Sequence, residues 1–533
     1  MEESGESMKP QPFLEDIWGN DPLFAMSQDQ FEIIKEQYPY YASTSCTIDD
    51  ITWNDLELDK VFLHMNSTLC NGGDFALYQM LRTPCMNAQE LKQRSDIMNW
   101  AIKYPEEREQ VKLILFDIDK RYQDRMERVL NTSIANPFRR NITVISIALC
   151  VLCFVLIPVF KIMLIPAAIL LVFNIFRSFY LHKELSEQID ALVYCIAHVN
   201  GLHKLAKLKF TGLSSMSKQM SDLSKQLRKV QSTSALDYFD SDKPINGLTN
   251  FILQREALNF DKYAQNIFEH ADSVKKAIMC VGELDALIAA ASYQVKMKAN
   301  SKLKLIENDS KIHISARKMI HPMINNAIPN DVDIYENRLI TGSNATGKSS
   351  YLKMISINAI FAQCFHFVFC VDYEASYFHI VSSMALKDNL FASESYFVTE
   401  IKSLKRMLDS LNNEVPTLCI IDEILKGTNT LERIAASSEI LKTFANKNCI
   451  VLGATHDIEL TKILEDEYAN YHFKESMKGE QMSFDYKIHK GPSTSRNAIA
   501  LLNLLGYRKD IVSNASKRLK AFETKGTWDP IID

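Results

Sequence analysis

The chain has 533 residues, 47% of them apolar and 23% charged, with a net charge of −5. That is ample material for two or three domains with sizeable cores, and the mild negative balance excludes a globally basic nucleic-acid binder, so any such surface must be local. The eleven cysteines are scattered, and the one close pair, Cys150 and Cys153, lies inside an apolar stretch. Neither a disulfide framework nor a zinc site is implied, and a reducing compartment suits the chain.

In chain order, Met1 to Glu6 offers no basic segment followed by an apolar one, so no cleavable signal peptide is expected. Residues 1–45 read as an N-terminal extension. From Thr52 to Phe62 and from Gly72 to Arg82 apolar residues recur at helical spacing, Leu77 and Leu81 among them, which predicts amphipathic helices opening a helical region. Residues 139–180 differ: Ile142 to Ile157 is almost wholly apolar, and from Asn141 to Phe176 the only charge is Lys161. One straight helix over that length would measure roughly 50 Å against a hydrocarbon core of roughly 30 Å. Two spans, about residues 142–159 and 162–178, are therefore expected, with the turn at Pro158 and Lys161. Arg139 and Arg140 before them, and Arg177, His182 and Lys183 after, put positive charge at both outer ends, which predicts a multi-pass hairpin with both flanking parts cytoplasmic. The alternatives are a re-entrant or shallow hairpin and a buried core hairpin. Beyond it, Lys204, Lys207, Lys209, Lys218, Lys225, Arg228 and Lys229 face a single acid, Asp222. They are candidate DNA contacts, the alternatives being a solvated helix face or attraction to anionic headgroups. Met216, Met220 and Leu223 read as packing, and Asp237, Asp240 and Asp242 as a loop before the next helical segment at Asn246.

The chemistry lies further on. Gly342-Ser343-Asn344-Ala345-Thr346-Gly347-Lys348-Ser349, followed by Ser350, fits the spacing of a phosphate-binding loop. Glycines let backbone N–H groups close around a phosphate, Lys348 reaches the β and γ oxygens of a nucleoside triphosphate such as ATP, and the Ser349 hydroxyl faces Mg²⁺. Arg338 to Thr341 is a short strand leading in, and an apolar run at helical spacing follows from Ser350, with Phe365, Phe367 and Phe369 expected to finish the next strand. Thr417 to Ile421 is a second hydrophobic strand ending on Asp422-Glu423, of Walker B type. Asp422 is expected in the Mg²⁺ shell and Glu423 on the attacking water. A third strand, Cys449 to Ala454, delivers Thr455-His456, which places His456 to sense the γ-phosphate.

Asp422-Glu423-Ile424-Leu425-Lys426-Gly427-Thr428-Asn429-Thr430 and Ala454-Thr455-His456, preceded by His321-Pro322 and Pro329-Asn330-Asp331-Val332, closely resemble the ATPase domain of the DNA mismatch repair MutS family over about residues 310–520. The segment from Asp388 to Glu400 is similar to that family's signature loop, whose serine, here Ser395, contacts the nucleotide of the opposite subunit. The resemblance thus implies a homodimer with composite sites, and implies that Asn344 touches phosphates. The helices around 52–82 resemble the start of the family's core domain. The expected architecture is an α/β P-loop NTPase domain of ABC-ATPase-like type at 306–533, preceded by a mainly α-helical core or lever domain in two parts, 46–138 and 181–305, interrupted by the transmembrane hairpin at 139–180.

Three departures accompany the match. Ser393 stands where the family carries Gly, Ser495-Arg496-Asn497-Ala498 stands where a Ser-Tyr-Gly turn is usual, and residues 1–45 are expected to be too few for mismatch-reading and connector domains. The function expected is a membrane-anchored ATPase, ATP hydrolysis driving dimer or clamp rearrangement in ATP-dependent DNA binding related to mismatch repair or DNA-structure processing, on duplex, mismatched or branched DNA. The alternatives are an ATPase that remodels a membrane or envelope protein without DNA, and a nucleotide-binding scaffold with little turnover.

Overall fold

The computed structural model describes residues 17–22, 26–38, 47–118, 130–231, 255–307, 311–343, 346–384, 396–411, 414–478, 481–493, 499, 502–503, 505–528 and 530. They fall into two compact units, one built from residues up to Ser43, Phe62–Leu81 and Gln89–Lys298, the other from Thr44–Val61, Arg82–Ala88 and Ala299 onward.

The first unit is helical. Its principal elements are α1 (Asn71–Arg82), α2 (Pro105–Ile118), α3 (Pro137–Leu156), α4 (Leu164–Leu205), α5 (Ser214–Gln226), α6 (Arg255–Glu269) and α7 (Ala271–Lys296). Helix α4 has 42 residues, about 63 Å at the rise of an α-helix. It packs against α2, α6 and α7 through a run in which Ala191, Leu192, Cys195, Ile196 and Leu202 are fully buried. It also packs against α3 and the short 3₁₀ turn Lys161–Met163, with Asn174 and Ala167 of its amino half against Ser146 and Cys150 of α3. The sequence boundary at 180/181 therefore falls inside one unbroken helix, because no Gly or Pro interrupts the chain between Ala167 and Asn200.

Three described helices are long and apolar enough to cross a membrane: Phe138–Leu156, Lys161–Leu181 and Ala271–Lys296. Burial separates them. The most apolar window of the third is 78% buried inside its unit, whereas those of the first two are 17% and 11% buried. Val144, Leu149, Val151 and Val155 on α3, and Ile165, Ile169, Val172 and Phe173 on α4, point outward as exposed apolar side chains. The seam between the two helices is small or polar: Thr143, Ser146, Cys150, Ala167 and Asn174 are buried there, and Asn174 Nδ2 donates to the Ser146 carbonyl at 3.5 Å. At the base of the pair Arg139 forms an ion pair with the buried Asp261 of α6, and Arg177 Nη2 donates to the Arg139 carbonyl at 3.1 Å. Two of the five basic residues at the outer ends of the hairpin are thus engaged with protein, while Arg140 and Lys183 are exposed.

Helix α1 begins where the backbone of α7 approaches closely. A Cβ on Gly282 would fall 2.2 Å from the Gly72 carbonyl oxygen, and one on Gly73 would fall 2.2 Å from Asp285 Oδ2. Asp285 in turn accepts the amides of Leu69 and Cys70 at 2.9 and 2.8 Å, satisfying backbone donors just before α1. Gly282→Ala is expected to destabilise this unit by about 1–3 kcal/mol through overpacking. A lowered thermal midpoint in the circular dichroism of the full chain would register it.

The second unit contains two sheets. Strands are β1 (Lys302–Ile306), β2 (Ile314–Met319), β3 (Asn330–Ile334), β4 (Arg338–Thr341), β5 (Asp372–Ser376), β6 (His379–Ser383), β7 (Thr417–Asp422), β8 (Cys449–Ala454), β9 (Ala469–Lys478) and β10 (Gln481–Lys490). Their orders are β1-β5-β2-β3 and β10-β9-β4-β8-β7-β6. In the larger sheet β6, β7, β8, β4 and β9 are all parallel, and β10 is an antiparallel edge. The buried runs Leu418–Ile421 and Ile450–Leu452 are the continuous apolar pattern of parallel strands covered on both faces. Helices α8 (Lys348–Phe365), α9 (Tyr396–Ser410) and α10 (Thr430–Ala445) follow β4, precede β7 and follow β7 respectively.

Two sequence expectations need correction here. Helix α8 ends at Phe365 with His366 as a left-handed cap, so Phe367 and Phe369 do not finish a strand. They meet Phe361 edge to face instead, with centroids 5.4 and 5.0 Å away. The start of the second unit also lies earlier than residue 306. Strand β1 pairs in parallel with β5, and residues 47–61 join the same unit because Thr52 Oγ1 and Asp55 Oδ2 accept the Ser382 amide and hydroxyl at 3.0 and 2.7 Å.

Candidate functional site

The site lies at the carboxyl ends of β4, β7 and β8, where an open parallel sheet gathers its loops. Strand β4 hands the chain to Gly342 (φ 145°) and, after the turn, Gly347 (φ 102°) starts α8; a side chain at either position would be strained. Thr346 Oγ1 donates to the Ser343 carbonyl at 2.8 Å and closes the turn. Glu475, a buried acid on β9, accepts the Ser343 amide at 3.2 Å. Lys348 is 4% exposed, and its Nζ donates to the carbonyls of Gly342 and Ser343 at 2.7 and 3.0 Å. Burial lowers the pKa of that ammonium, against the opposing pull of Asp422, Glu423 and Glu475.

Across from the loop, Ser349 Oγ donates to Asp422 Oδ2, while Asp422 Oδ1 is buried with no hydrogen-bond partner among the described residues. Burial raises the Asp422 pKa although Ser349 opposes it. A buried carboxylate with one oxygen on a serine hydroxyl and the other unpartnered is the donor set a hard cation such as Mg²⁺ takes. Glu423 follows with φ 58°, and its amide donates to the Ala454 carbonyl at 2.9 Å. Its carboxylate accepts from Lys426 Nζ and lies 3.0 Å from His456 Nε2. Burial works to raise the Glu423 pKa, yet Lys426 and His456 hold it below the ordinary value, so it is ionised at neutral pH. His456 Nε2 is also 3.4 Å from Lys348 Nζ. The turn carrying His456 is fixed one residue on, where Asp457 receives a two-point ion pair from Arg433 of α10 at 2.8 and 2.6 Å.

A cavity of about 670 Å³ opens beside the loop. Lys348, Ser349, Ser350 and Glu423 line its polar end, while Ile328, Phe473, Phe484 and Tyr486 line the rest. Asn330 shapes that wall: its Nδ2 donates to the Tyr486 carbonyl and its Oδ1 accepts the Ile488 amide, both at 3.0 Å, across the register shift between Phe484 and Ile488. His321 also lines the cavity, and burial, then Lys353, push its pKa down to about 4, leaving a neutral ring.

Of the residues expected from sequence, Gly342, Ser343, Thr346, Gly347, Lys348, Ser349, Ser350, Asp422, Glu423 and His456 converge here. Asn344, Ala345 and Ser395 lie outside the described residues, as do Ser393, the turn at Ser495 and the acids Asp237 to Asp242. The basic residues Lys204, Lys207, Lys218, Lys225, Arg228 and Lys229 are all exposed on the first unit. Lys204 pairs with Asp117 at 2.9 Å and Lys225 with Asp222 at 3.2 Å. Burial first, and then the nearby charges of Lys207 and Arg228, lower the pKa of His203. Met216, Met220 and Leu223 are buried, as packing requires. The aromatic wall and Glu475 went unnoticed in the sequence, where only the parity of a strand not foreseen there would have aimed them.

Residues 338–523 match the profile of MutS domain V. The chain is 24% identical over 301 residues to the DNA mismatch repair protein MutS of Thermus thermophilus, covering 55% of this chain and 36% of that protein. It is 29% identical over 287 residues to the DNA mismatch repair protein MSH3 of Meyerozyma guilliermondii, 50% of this chain and 29% of that one. With MutS of Lactobacillus delbrueckii subsp. bulgaricus the identity is 28% over 293 residues, 52% and 34%. The similarity thus spans about a third of the length of these relatives. The domain V profile thus falls on the strands that build the site, and over residues 338–523 the chain is similar to MutS domain V.

Proposed function

We propose that this chain is a membrane-anchored, Mg²⁺-dependent ATPase of P-loop type, hydrolysing ATP to ADP and phosphate to rearrange a homodimer that engages DNA. The observation that carries the reading is the Asp422 carboxylate, one oxygen on Ser349 and the other buried and unpartnered, beside an ionised Glu423 and the phosphate-loop lysine. The loop amides and Lys348 hold the phosphates, Lys348 exchanging its two loop carbonyls for β and γ oxygens. Ser349 and Asp422 hold Mg²⁺, which when bound neutralises charge growing on those oxygens. Glu423 orients water for in-line attack on the γ-phosphorus and takes its proton as the bond to the β–γ bridging oxygen breaks. His456 sits against Glu423 as γ-phosphate sensor. The cavity wall of Phe473, Phe484 and Tyr486 fits a stacked base. Ser395 acts across the dimer.

For the membrane, support comes from the outward apolar faces of α3 and α4, and the basic residues at both outer ends of the hairpin favour a cytoplasmic place for the flanking parts. For DNA, it comes from the relatives' role in mismatch repair and from the exposed cluster of Lys207, Lys218, Arg228 and Lys229. Steady-state hydrolysis by the detergent-solubilised full chain, with and without homoduplex, mismatched and branched DNA, tests the reading. One kind of DNA is expected to change the rate. Lys207→Glu with Arg228→Glu is expected to weaken duplex binding and its dependence on salt while leaving DNA-free hydrolysis unchanged.

The continuity of α4 from the apolar hairpin into the core of its unit favours a second reading, an ATPase that remodels a membrane protein. Hydrolysis indifferent to every DNA, and altered by changes in the hairpin, would select it.

A further inference from the structure

Strand β7 ends at Asp422, and the chain then reverses through two non-glycine residues in the left-handed region, Glu423 at φ 58° and Leu425 at φ 54°. Each such residue is strained against a right-handed one, so something must hold the turn. Part of the hold is apolar: Ile424 and Leu425 are 4% and 2% exposed and sit in the core cluster with Leu404 and Met407 of α9. That leaves the amides of the turn facing inward, and a buried amide needs an acceptor.

Glu400 supplies it. This side chain stands one helical turn before Leu404 on α9, and its residue is 7% exposed. Glu400 Oε1 accepts the Lys426 amide at 3.2 Å, and the carboxylate also faces the amides of Leu425 and Gly427. Its other oxygen, Oε2, is buried with no hydrogen-bond partner among the described residues. Burying a carboxylate beside a second one, Glu423, is unfavourable in itself, and burial is the leading reason the Glu400 pKa is raised. A neutral apolar side chain would fill the space at lower cost but would leave the inward amides of a left-handed turn unpaired.

We propose that Glu400 is a positioning residue for hydrolysis: by accepting the amides of the turn after β7 it fixes the backbone that aims the Glu423 carboxylate at the attacking water. The proposal rests on the reading of Glu423 as the group that handles water. Helix α9 is locked to the sheet by Leu404 and Met407, so Glu400 is a fixed strut beneath the catalytic carboxylate. It is not among the residues that line the cavity, and its printed hydrogen bond goes to the backbone of the turn. Its effect is therefore expected on turnover and not on binding.

The test compares the wild type, Glu400→Ala, Glu400→Gln, Glu423→Gln and the double variant Glu400→Ala/Glu423→Gln in the full chain. Both kcat and KM for ATP are measured, with the Kd of a fluorescent ATP analogue. Glu400→Gln keeps an acceptor oxygen for the Lys426 amide and is expected to stay within about threefold of wild type, whereas Glu400→Ala is expected to lose about 10²-fold in kcat, the effect of misplacing a catalytic group by about 1 Å. KM and Kd stay put in both. The double variant is expected to be no slower than Glu423→Gln alone, because the two residues act through one carboxylate. A Glu400→Ala protein with normal kcat, one whose Kd rises in step with its loss of turnover, or a glutamine variant as slow as the alanine variant would overturn the proposal. If Glu423→Gln itself turns over ATP normally, the assignment of Glu423 fails and takes this one with it; a slow Glu423→Gln beside a normal Glu400→Ala overturns the role of Glu400 alone.

Discussion

Glu423→Gln is expected to bind ATP as the wild type does and to hydrolyse it about 10²–10⁴ times more slowly, the range over which a positioned general base acts. The substitution keeps the volume and the hydrogen bond to His456 Nε2 but removes the charge that Lys426 and His456 hold ionised. In the binding cradle Lys348 feels that charge through Coulomb attraction, but its own hydrogen bonds go to the loop carbonyls. The loop amides, Lys348 and the Ser349 to Asp422 contact stand on other elements, so the Kd is expected to move little. Lys348→Ala separates the two functions from the other side: it removes the cation that faces the phosphates and is expected to abolish binding and turnover together. Rapid phosphate release assays with a parallel binding titration distinguish these patterns. Equal loss of binding in both variants would mean that Glu423 belongs to the cradle and not to the chemistry.

In the second expected result, the full chain stays with the membrane pellet after an alkaline carbonate wash, while Leu149→Arg with Val172→Arg does not. These residues are 46% and 51% exposed near the middles of the two outward-facing helices. An arginine at the centre of a span costs about 2.5–3.5 kcal/mol in membrane insertion, so two of them outweigh a hairpin of this modest hydropathy. Arginine at Leu431, equally apolar and 82% exposed but on α10 of the other unit, serves as the control and is expected to change nothing. Wild-type protein released by carbonate would leave the apolar faces of α3 and α4 to a protein partner.

Both results draw on features that differ in how far the sequence displays them. The phosphate loop, the two acids after β7 and the histidine after β8 are legible because each is a local pattern: a strand, a turn of fixed spacing and a residue type that the chemistry restricts. The apolar hairpin is legible for a similar reason, since an unbroken run of Val, Ile and Leu with one lysine is local too. What followed the hairpin was not. Helix α4 runs on to Leu205 because the polar residues from His182 onward are still good helix formers, and composition changes there without any helix-stop signal.

Non-local pairings stayed hidden altogether. Glu400 was visible as part of a signature segment, but its bond to the Lys426 amide spans 26 residues and depends on two left-handed residues that carry no glycine to announce them. Thr52 and Asp55 read as part of a helical domain, yet they bind Ser382, about 330 residues away, so the unit that holds the site recruits chain from near the amino terminus. The aromatic wall of the cavity depends on a register shift in the β9–β10 hairpin that only Asn330 reveals. Strand parity aims Phe473, and the shift aims Tyr486.

The most direct measurement is Mg²⁺-dependent phosphate release from ATP by the full chain in detergent micelles, with Lys348→Ala purified in parallel as the blank. Saturable release by the wild type, lost on removing Mg²⁺ and absent from the Lys348→Ala protein, is the expected result. Equal release by both proteins, or none by either under conditions in which the wild type binds ATP, would contradict the assignment of this site as an ATPase.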